Sequence, residues 1–242
     1  MAKYVSFSLY GNIKLYCEGM LQNLPLIEKY YPGWTPIVYI SEDCPALSVL
    51  EEMNIKLVIA PPIKGVDRIN DKNWKDDFRN AAMSWRYNVL DEKDCERAIF
   101  RDCDSRVNPR EADAVSEWVE SGMLAHSIYD CAAHTNCIIM PGICGLVGGI
   151  YSNIQEIYKK YRIHEYPKLN QPMVFFDIWF FYQKFIEPIV FSWMRHGYNQ
   201  PFPLKTPMPS ELGLHVGATV NEIWREEKLY LCLDKSGMFL SN

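Results

Sequence analysis

The sequence predicts an α/β domain built on a mostly parallel central sheet flanked by helices. Three observations carry this. β-rich runs alternate with stretches of helical spacing from the first residues onward. The links between them are short and marked by Pro and Gly. A strand–helix–strand order with short links favours parallel pairing, because the helix carries the chain back across the sheet. Of the 242 residues, 48% are hydrophobic, which is enough to fill the core of one large domain.

Lys3 to Leu9 alternates and is β-rich, and opens the sheet. From Asn12 to Tyr31, Leu15, Met20, Leu21, Leu24, Ile27 and Tyr30 fall near one helical face, and Pro32-Gly33 ends the helix. Pro36 to Ile40 is a second strand, Pro45 to Met53 a second helix, and Lys56 to Ala60 a third strand closed by Pro61-Pro62. Lys64 to Asp76 is polar and turn-like, a candidate mobile loop. Asp77 to Leu90 reads as a helix and Arg97 to Arg101 as the fourth strand. Pro109 to Ser121 is a helix with Asn108 as its cap, Pro109 in its first turn and Glu111 near its positive end. Met123 to Tyr129 is a further strand. Ile138 to Gly149 is apolar and too rich in glycine for a helix. Ile154 to Tyr161 and Val174 to Phe185 have helical spacing. The tail after Pro201 is turn-rich, with short strands expected near Leu214 to Val220 and Lys228 to Leu233.

Charge and composition exclude several classes. A net charge of −5 without a basic stripe argues against nucleic acid as a partner. No apolar run reaches the roughly 20 residues of a membrane span. The densest stretch, Met173 to Val190, is interrupted by Asp177, Gln183, Lys184, Glu187 and Pro188. None of the eight cysteines has C-x-x-C spacing, which leaves a zinc knuckle poorly supported. No secretory leader pattern opens the sequence, so reduced thiols and a cytoplasmic setting are expected.

The chemistry gathers at Arg101-Asp102-Cys103-Asp104-Ser105-Arg106. Two carboxylates one residue apart follow a buried strand, at the C-terminal end where open α/β sheets bind ligands. Residues two apart in extended chain point to one side, and a turn expected at the strand's end would free both acids to serve one ion. Asp102 and Asp104 could then hold Mn²⁺ or Mg²⁺, hard ions that take oxygen ligands and bridge phosphates. A lone D-x-D is a weak signal, since many are solvated turns.

The wider segment is more specific. The run from Arg101 to Arg106, with Asn108-Pro109-Arg110-Glu111, Glu117-Trp118, Ser121-Gly122 and His126, resembles a group of glycosyltransferases of bacteria and large DNA viruses. Upstream, Ser6-Phe7-Ser8-Leu9-Tyr10-Gly11, Tyr31-Pro32-Gly33-Trp34 and Trp85-Arg86-Tyr87 continue the likeness. Downstream, Asp130, His134 and Pro141-Gly142-Ile143-Cys144-Gly145 match more loosely, with Cys131, Cys144 and Pro141 in place of the group's His, Trp and Gly.

The resemblance implies the GT-A fold, a Rossmann-like single domain over residues 1–242. Residues 1–107 would hold the nucleotide and residues 108–242 the donor sugar and acceptor. It implies transfer of a sugar from a nucleotide-sugar, UDP-linked, to a glycan or other hydroxyl acceptor with Mn²⁺ or Mg²⁺. For a viral member the compartment would be the host cytoplasm. Ser8, Leu9 and Tyr10 would border the nucleotide, as would Arg86, Arg101, Asp102 and Cys103, while His134, Gly142 and Gly145 would border the sugar. Each has a plainer alternative: Arg101 or Arg106 could pair with Asp102 or Glu111, and Arg86 suits either a diphosphate or the acid pair. The group's late metal-binding His would be His196 or His215, with His196 preferred beside Asp102 and Asp104. An inverting reaction needs a base at the acceptor hydroxyl, for which Asp177 and Asp130 are the candidates ahead of Glu211. A retaining reaction needs none. Two other readings stay open: a D-x-D phosphohydrolase or phosphotransferase, and a non-catalytic nucleotide-sugar or carbohydrate-binding domain.

Overall fold

The computed structural model describes residues 1–12, 14–53, 55–60, 82–131, 134, 137–170, 175–206 and 216–217. The expected loop over residues 64–76, Glu211, His215 and, apart from residues 216–217, the expected strands of the tail lie outside these. The described chain is an α/β structure with one seven-stranded, mostly parallel sheet.

Strand β1 (Ala2–Leu9) leads into α1 (Lys14–Tyr30), β2 (Trp34–Ser41), α2 (Leu47–Glu51) and β3 (Lys56–Ala60). A 3-10 segment, Ser84–Asp91, precedes β4 (Cys95–Arg101). Then come α3 (Pro109–Ser121), β5 (Ala125–Tyr129), β6 (Ile143–Val147), α4 (Ile154–Lys160), α5 (Phe176–Phe181) and β7 (Trp193–Gly197). The sheet order is β3-β2-β1-β4-β6-β5-β7. Only β6 runs against its neighbours. β1 is paired in parallel with both β2 and β4. The chain therefore builds outward from β1 on one side through β3, then returns to add β4 on the other. The gap between the ends of β1 and β4 is the topological switch point, where an open α/β sheet leaves a crevice.

Alternation along the strands divides the core in two. On one face Tyr4, Tyr39, Ala98, Phe100 and Cys144 pack against Tyr87 of the 3-10 segment and Phe176, Phe180 and Phe181 of α5. On the other, Val5, Phe7, Val38 and Ile99 pack against Met20 and Ile27 of α1 and Val115 and Trp118 of α3.

Local signals account for α3. The Asn108 side chain accepts from the Glu111 amide, Pro109 opens the helix, and Gly122 closes it in the left-handed conformation. Two elements differ from expectation. The helix expected up to Leu90 is a tight 3-10 segment over its described end, where Ser6 and Ser8 compete for the backbone: Ser6 Oγ donates to Arg86 O at 2.7 Å, and Arg86 N donates to Ser8 Oγ at 3.0 Å. The glycine-rich stretch near residue 145 contains a central antiparallel strand. Gly145 lies there because a Cβ would stand 2.8 Å from the Trp118 ring. Its place is under that ring in the core.

Candidate active site

The turn after β4 is braced from beneath. Gly19, in the middle of α1, brings the helix so close that a Cβ would fall 2.0 Å from the Cys103 carbonyl oxygen. Asn23, one turn on, donates to Ser105 O at 2.8 Å and accepts from Val107 N at 3.0 Å. Arg106 Nη1 donates to Cys103 O at 3.1 Å and its Nε donates to Gln22 at 2.9 Å. Cys103 points down into this packing, with its thiol on Ser8 O at 3.4 Å. The turn expected after β4 is thus present, with Cys103 buried and the Asp102 side chain half exposed. Asp104 is partly exposed beside it.

Arg101 is part of the bracing. Its side chain is 1% exposed, and Nε lies 3.3 Å from Glu111 Oε1. Nη2 donates to Ser105 Oγ at 3.0 Å and Nη1 to Gly142 O at 3.2 Å. Tyr31 OH donates to the same Glu111 oxygen at 3.0 Å. Of the alternatives for Arg101, the Glu111 pair is the one present, buried rather than at the surface. Burial raises the Glu111 carboxyl above its ordinary value, with Arg101 and Tyr31 opposing.

Arg86 is the cation at the crevice. Ser8 and Ser6 seat its backbone on β1. Its Nη1 donates to Asp102 Oδ1 at 2.5 Å and its Nη2 to Asp177 Oδ2 at 2.7 Å. Tyr87 OH donates to Asp177 Oδ1 at 2.8 Å. Tyr87 was legible only as the residue beside Arg86; a tyrosine whose ring fills a core and whose hydroxyl orients a buried acid has no sequence signature. Burial raises the Asp177 carboxyl above its ordinary value, while Arg86 and Tyr87 pull it down. Tyr10 stands at the end of β1, edge-on to Trp85 with ring centroids 6.1 Å apart. Desolvation raises its hydroxyl, which stays protonated at neutral pH. Leu9 is 1% exposed, so a ligand there meets its backbone only.

Gly142 faces Asp102 from the segment before β6. A Cβ there would lie 1.9 Å from Asp102 Oδ2, so the carboxylate rests directly on the glycine backbone. The crevice thus brings together Ser8, Leu9, Tyr10, Arg86, Asp102, Gly142 and Asp177.

It does not bring in the other candidates. The Asp130 carboxylate receives a fork from Arg110, with Nε at 2.9 Å and Nη2 at 2.6 Å from Oδ1, and accepts from Val216 N at 2.9 Å. The Asp130 amide donates to His134 Nδ1 at 3.3 Å. His196 sits on β7, two strands beyond β4's neighbour, roughly 14 Å away at ordinary strand spacing. Its Nδ1 lies 2.8 Å from His126 Nε2, and its Nε2 is 3.4 Å from Glu117. His126 is stacked on Trp118. Burial, then mutual repulsion, holds His126 well below the usual imidazole value; burial also lowers His196 despite Glu117. Both are neutral at pH 7, in a core pair apart from the acids at the β4 turn. Among the described residues no group of three or more His, Cys, Asp or Glu side chains converges as a metal site.

No family model and no curated protein matches the chain. Among solved structures it is similar to a glycosyltransferase involved in glycosylation of the major capsid of PBCV-1. Identity is 13%, coverage 81% of this chain and 82% of that one, and the TM-score 0.45. It is also similar to a mannosyltransferase from Pyrobaculum calidifontis solved with GDP-Man and Mn²⁺. There identity is 14%, coverage 65% and 46%, and the TM-score 0.39. At such identity and overlap neither likeness identifies the chemistry of this chain.

Proposed function

We propose that the protein is a GT-A-like glycosyltransferase. It takes a sugar from a nucleotide-sugar, UDP-linked, and transfers it to a hydroxyl of a glycan or similar acceptor with help from Mn²⁺ or Mg²⁺. The observation that supports this best is the position of Asp102 and Asp104 on a rigidly braced turn at the sheet's switch point. The resemblance read from the sequence supplies the reaction class.

The residues fit a hard divalent ion. Asp102 and Asp104 offer carboxylate oxygens, and Asp102 rests in a cradle that a Cβ on Gly142 would fill. Two carboxylates leave room in the ion's shell for substrate phosphates and water, which Mg²⁺ commonly keeps. Bound there, the ion would offset charge on the leaving diphosphate.

The chain's own groups divide the remaining work. Arg86 supplies a fixed positive charge at the crevice and keeps Asp102 oriented until a donor arrives. Asp177 works as a positioning residue: its carboxylate is 4% exposed and filled by Arg86 and Tyr87, which leaves it closed to an acceptor hydroxyl. Asp130 is filled in the same sense by Arg110 and Val216. Tyr10 presents a ring against which a base can stack.

The test is a thermal-shift screen of nucleotide-sugars with and without Mn²⁺, followed by an assay of nucleoside-diphosphate release. A donor at 100 times its Kd stabilises the native state by about 2.7 kcal/mol. Asp104→Ala should abolish Mn²⁺-dependent turnover while leaving the fold intact by circular dichroism. Wild-type turnover in that variant would remove the metal role. A trapped aspartyl-phosphate would replace glycosyl transfer with phosphotransfer.

A further inference from the structure

Two cysteines stand close together without belonging to the acid–arginine cluster. Cys17 is on the first turn of α1, and Cys44 is in the turn between β2 and α2. That turn is ordered: Cys44 N donates to Ser41 O at 3.0 Å, and Leu47 N donates to Cys44 O at 3.0 Å. The two sulfurs are 3.7 Å apart across a sequence separation of 27. Cys17 is partly open to solvent, whereas Cys44 is 3% exposed. All seven described cysteines are free thiols.

From this geometry we infer that Cys17 and Cys44 form a thiol–disulfide site, with Cys17 attacking and Cys44 resolving, whose substrate is a low-molecular-weight disulfide such as glutathione disulfide.

The local chemistry supports the order. The hydrogen bond from Cys44 lowers the Cys17 thiol to about 7, with desolvation opposing. The same bond, together with burial, raises Cys44. A thiol near the first turn of a helix gains from the positive helix end as well. Its access to solvent and its lowered thiol make Cys17 the attacking member of the pair, and buried Cys44 the resolving one. The Cys17 thiolate attacks one sulfur of the substrate disulfide, forms a mixed disulfide and expels one thiolate. That event removes the negative charge that held the Cys44 proton. Cys44 then gives its proton to solvent or to the expelled thiolate and attacks Cys17 Sγ, releasing the second thiol. In sum, two protein thiols are oxidised to one disulfide, and one external disulfide is reduced to two thiols. Closing the bond draws the sulfurs from 3.7 Å to about 2.05 Å. It ties α1 to the β2–α2 turn; α1 is the helix whose Gly19 and Asn23 hold the turn after β4.

The experiment uses the full chain, with excess glutathione disulfide at pH 7.5, acid quenching, alkylation and peptide mass mapping. The expected product is a Cys17–Cys44 cross-linked peptide, reversed by dithiothreitol. Cys44→Ser should stop at a stable glutathione adduct on Cys17. In Cys44→Ala, which leaves no side-chain donor at that position, Cys17 should return toward about 8.5. Its alkylation by iodoacetamide at pH 7 should then slow several-fold, provided circular dichroism shows the fold intact. The inference is overturned if both thiols stay alkylatable in the wild type. It is equally overturned if Cys17 in Cys44→Ala alkylates at the wild-type rate from pH 6 to pH 9. None of these readouts depends on glycosyl transfer.

Discussion

Exchanging Arg86 for methionine should cost about 3–5 kcal/mol of stability, and the cost should shrink in acid. Methionine keeps much of the stem volume, so the change isolates the charge. The Arg86 and Asp177 side chains are each 4% exposed, and they meet at 2.7 Å. Without the guanidinium, the Asp177 carboxylate keeps only the Tyr87 hydroxyl at 2.8 Å and stays sealed from water. That uncompensated buried charge supplies most of the penalty. The other bond of Arg86, to Asp102, adds little, because Asp102 is 50% exposed and a screened pair of that kind is worth at most about 1 kcal/mol.

Urea denaturation of Arg86→Met, Asp177→Asn and the double variant forms the cycle that measures this. The double variant leaves no buried charge, so its cost should fall short of the sum of the singles by about 2–3 kcal/mol. The pH dependence has a definite sign. The folded Asp177 carboxyl is already raised by burial with Arg86 present. Removing Arg86 takes away the main opposing influence and raises it further. For an acid raised on folding, the stability linked to its proton is fully present below the unfolded value. It is lost as pH rises through the folded value. The Arg86→Met penalty should therefore be largest at neutral pH and decline as pH falls through the raised Asp177 value. Additive single costs, or a penalty unchanged between pH 7 and pH 4, would refute the buried-pair reasoning.

Gly142→Ala should displace the Asp102 carboxylate, since the new Cβ would overlap Oδ2 and lie 2.5 Å from Cγ. Overpacking of that kind costs about 1–3 kcal/mol; Mn²⁺-dependent donor stabilisation in a thermal-shift assay should fall with it, and a variant unchanged in both respects would contradict the cradle. His126 is held well below the usual imidazole value by burial. The unfolded chain thus binds a proton that the folded chain refuses, and stability should fall as pH drops below about 6.5. Denaturation midpoints at pH 7.5, 6.5 and 5.5 should show this slope, and His126→Gln should flatten it.

Much of the first half was legible because its signals are local. Strand alternation, the Pro-Gly stop after α1 and the Asn108 cap each act within a few residues, and the observed β1, β2, β3, β4 and α3 follow them. β6 and β7 were not legible. The Ile143–Val147 strand carries its glycine for the sake of Trp118, and Trp193–Gly197 carries a histidine for the sake of His126. Each departs from a strand-like pattern to satisfy a residue distant in sequence. Gly19 did leave a mark: a glycine inside a helix costs about 1 kcal/mol against alanine, so it signals close packing. What it packs against, the Cys103 carbonyl, is visible only in three dimensions.

The sequence alone determined the α/β class and the place of the acid pair at a strand end, since both depend on periodicity and neighbours along the chain. It could not rank the charged residues, because Arg86, Arg101, Arg106 and Arg110 carry the same group. Tertiary structure decided their roles. Arg101 is sealed against Glu111, Arg110 is spent on Asp130, Arg106 ties down a turn, and Arg86 reaches the crevice. A guanidinium's work depends on which carboxylates and carbonyls lie within hydrogen-bond reach and how far water is excluded, and folding brings those partners from 16 to 91 positions away in the case of Arg86.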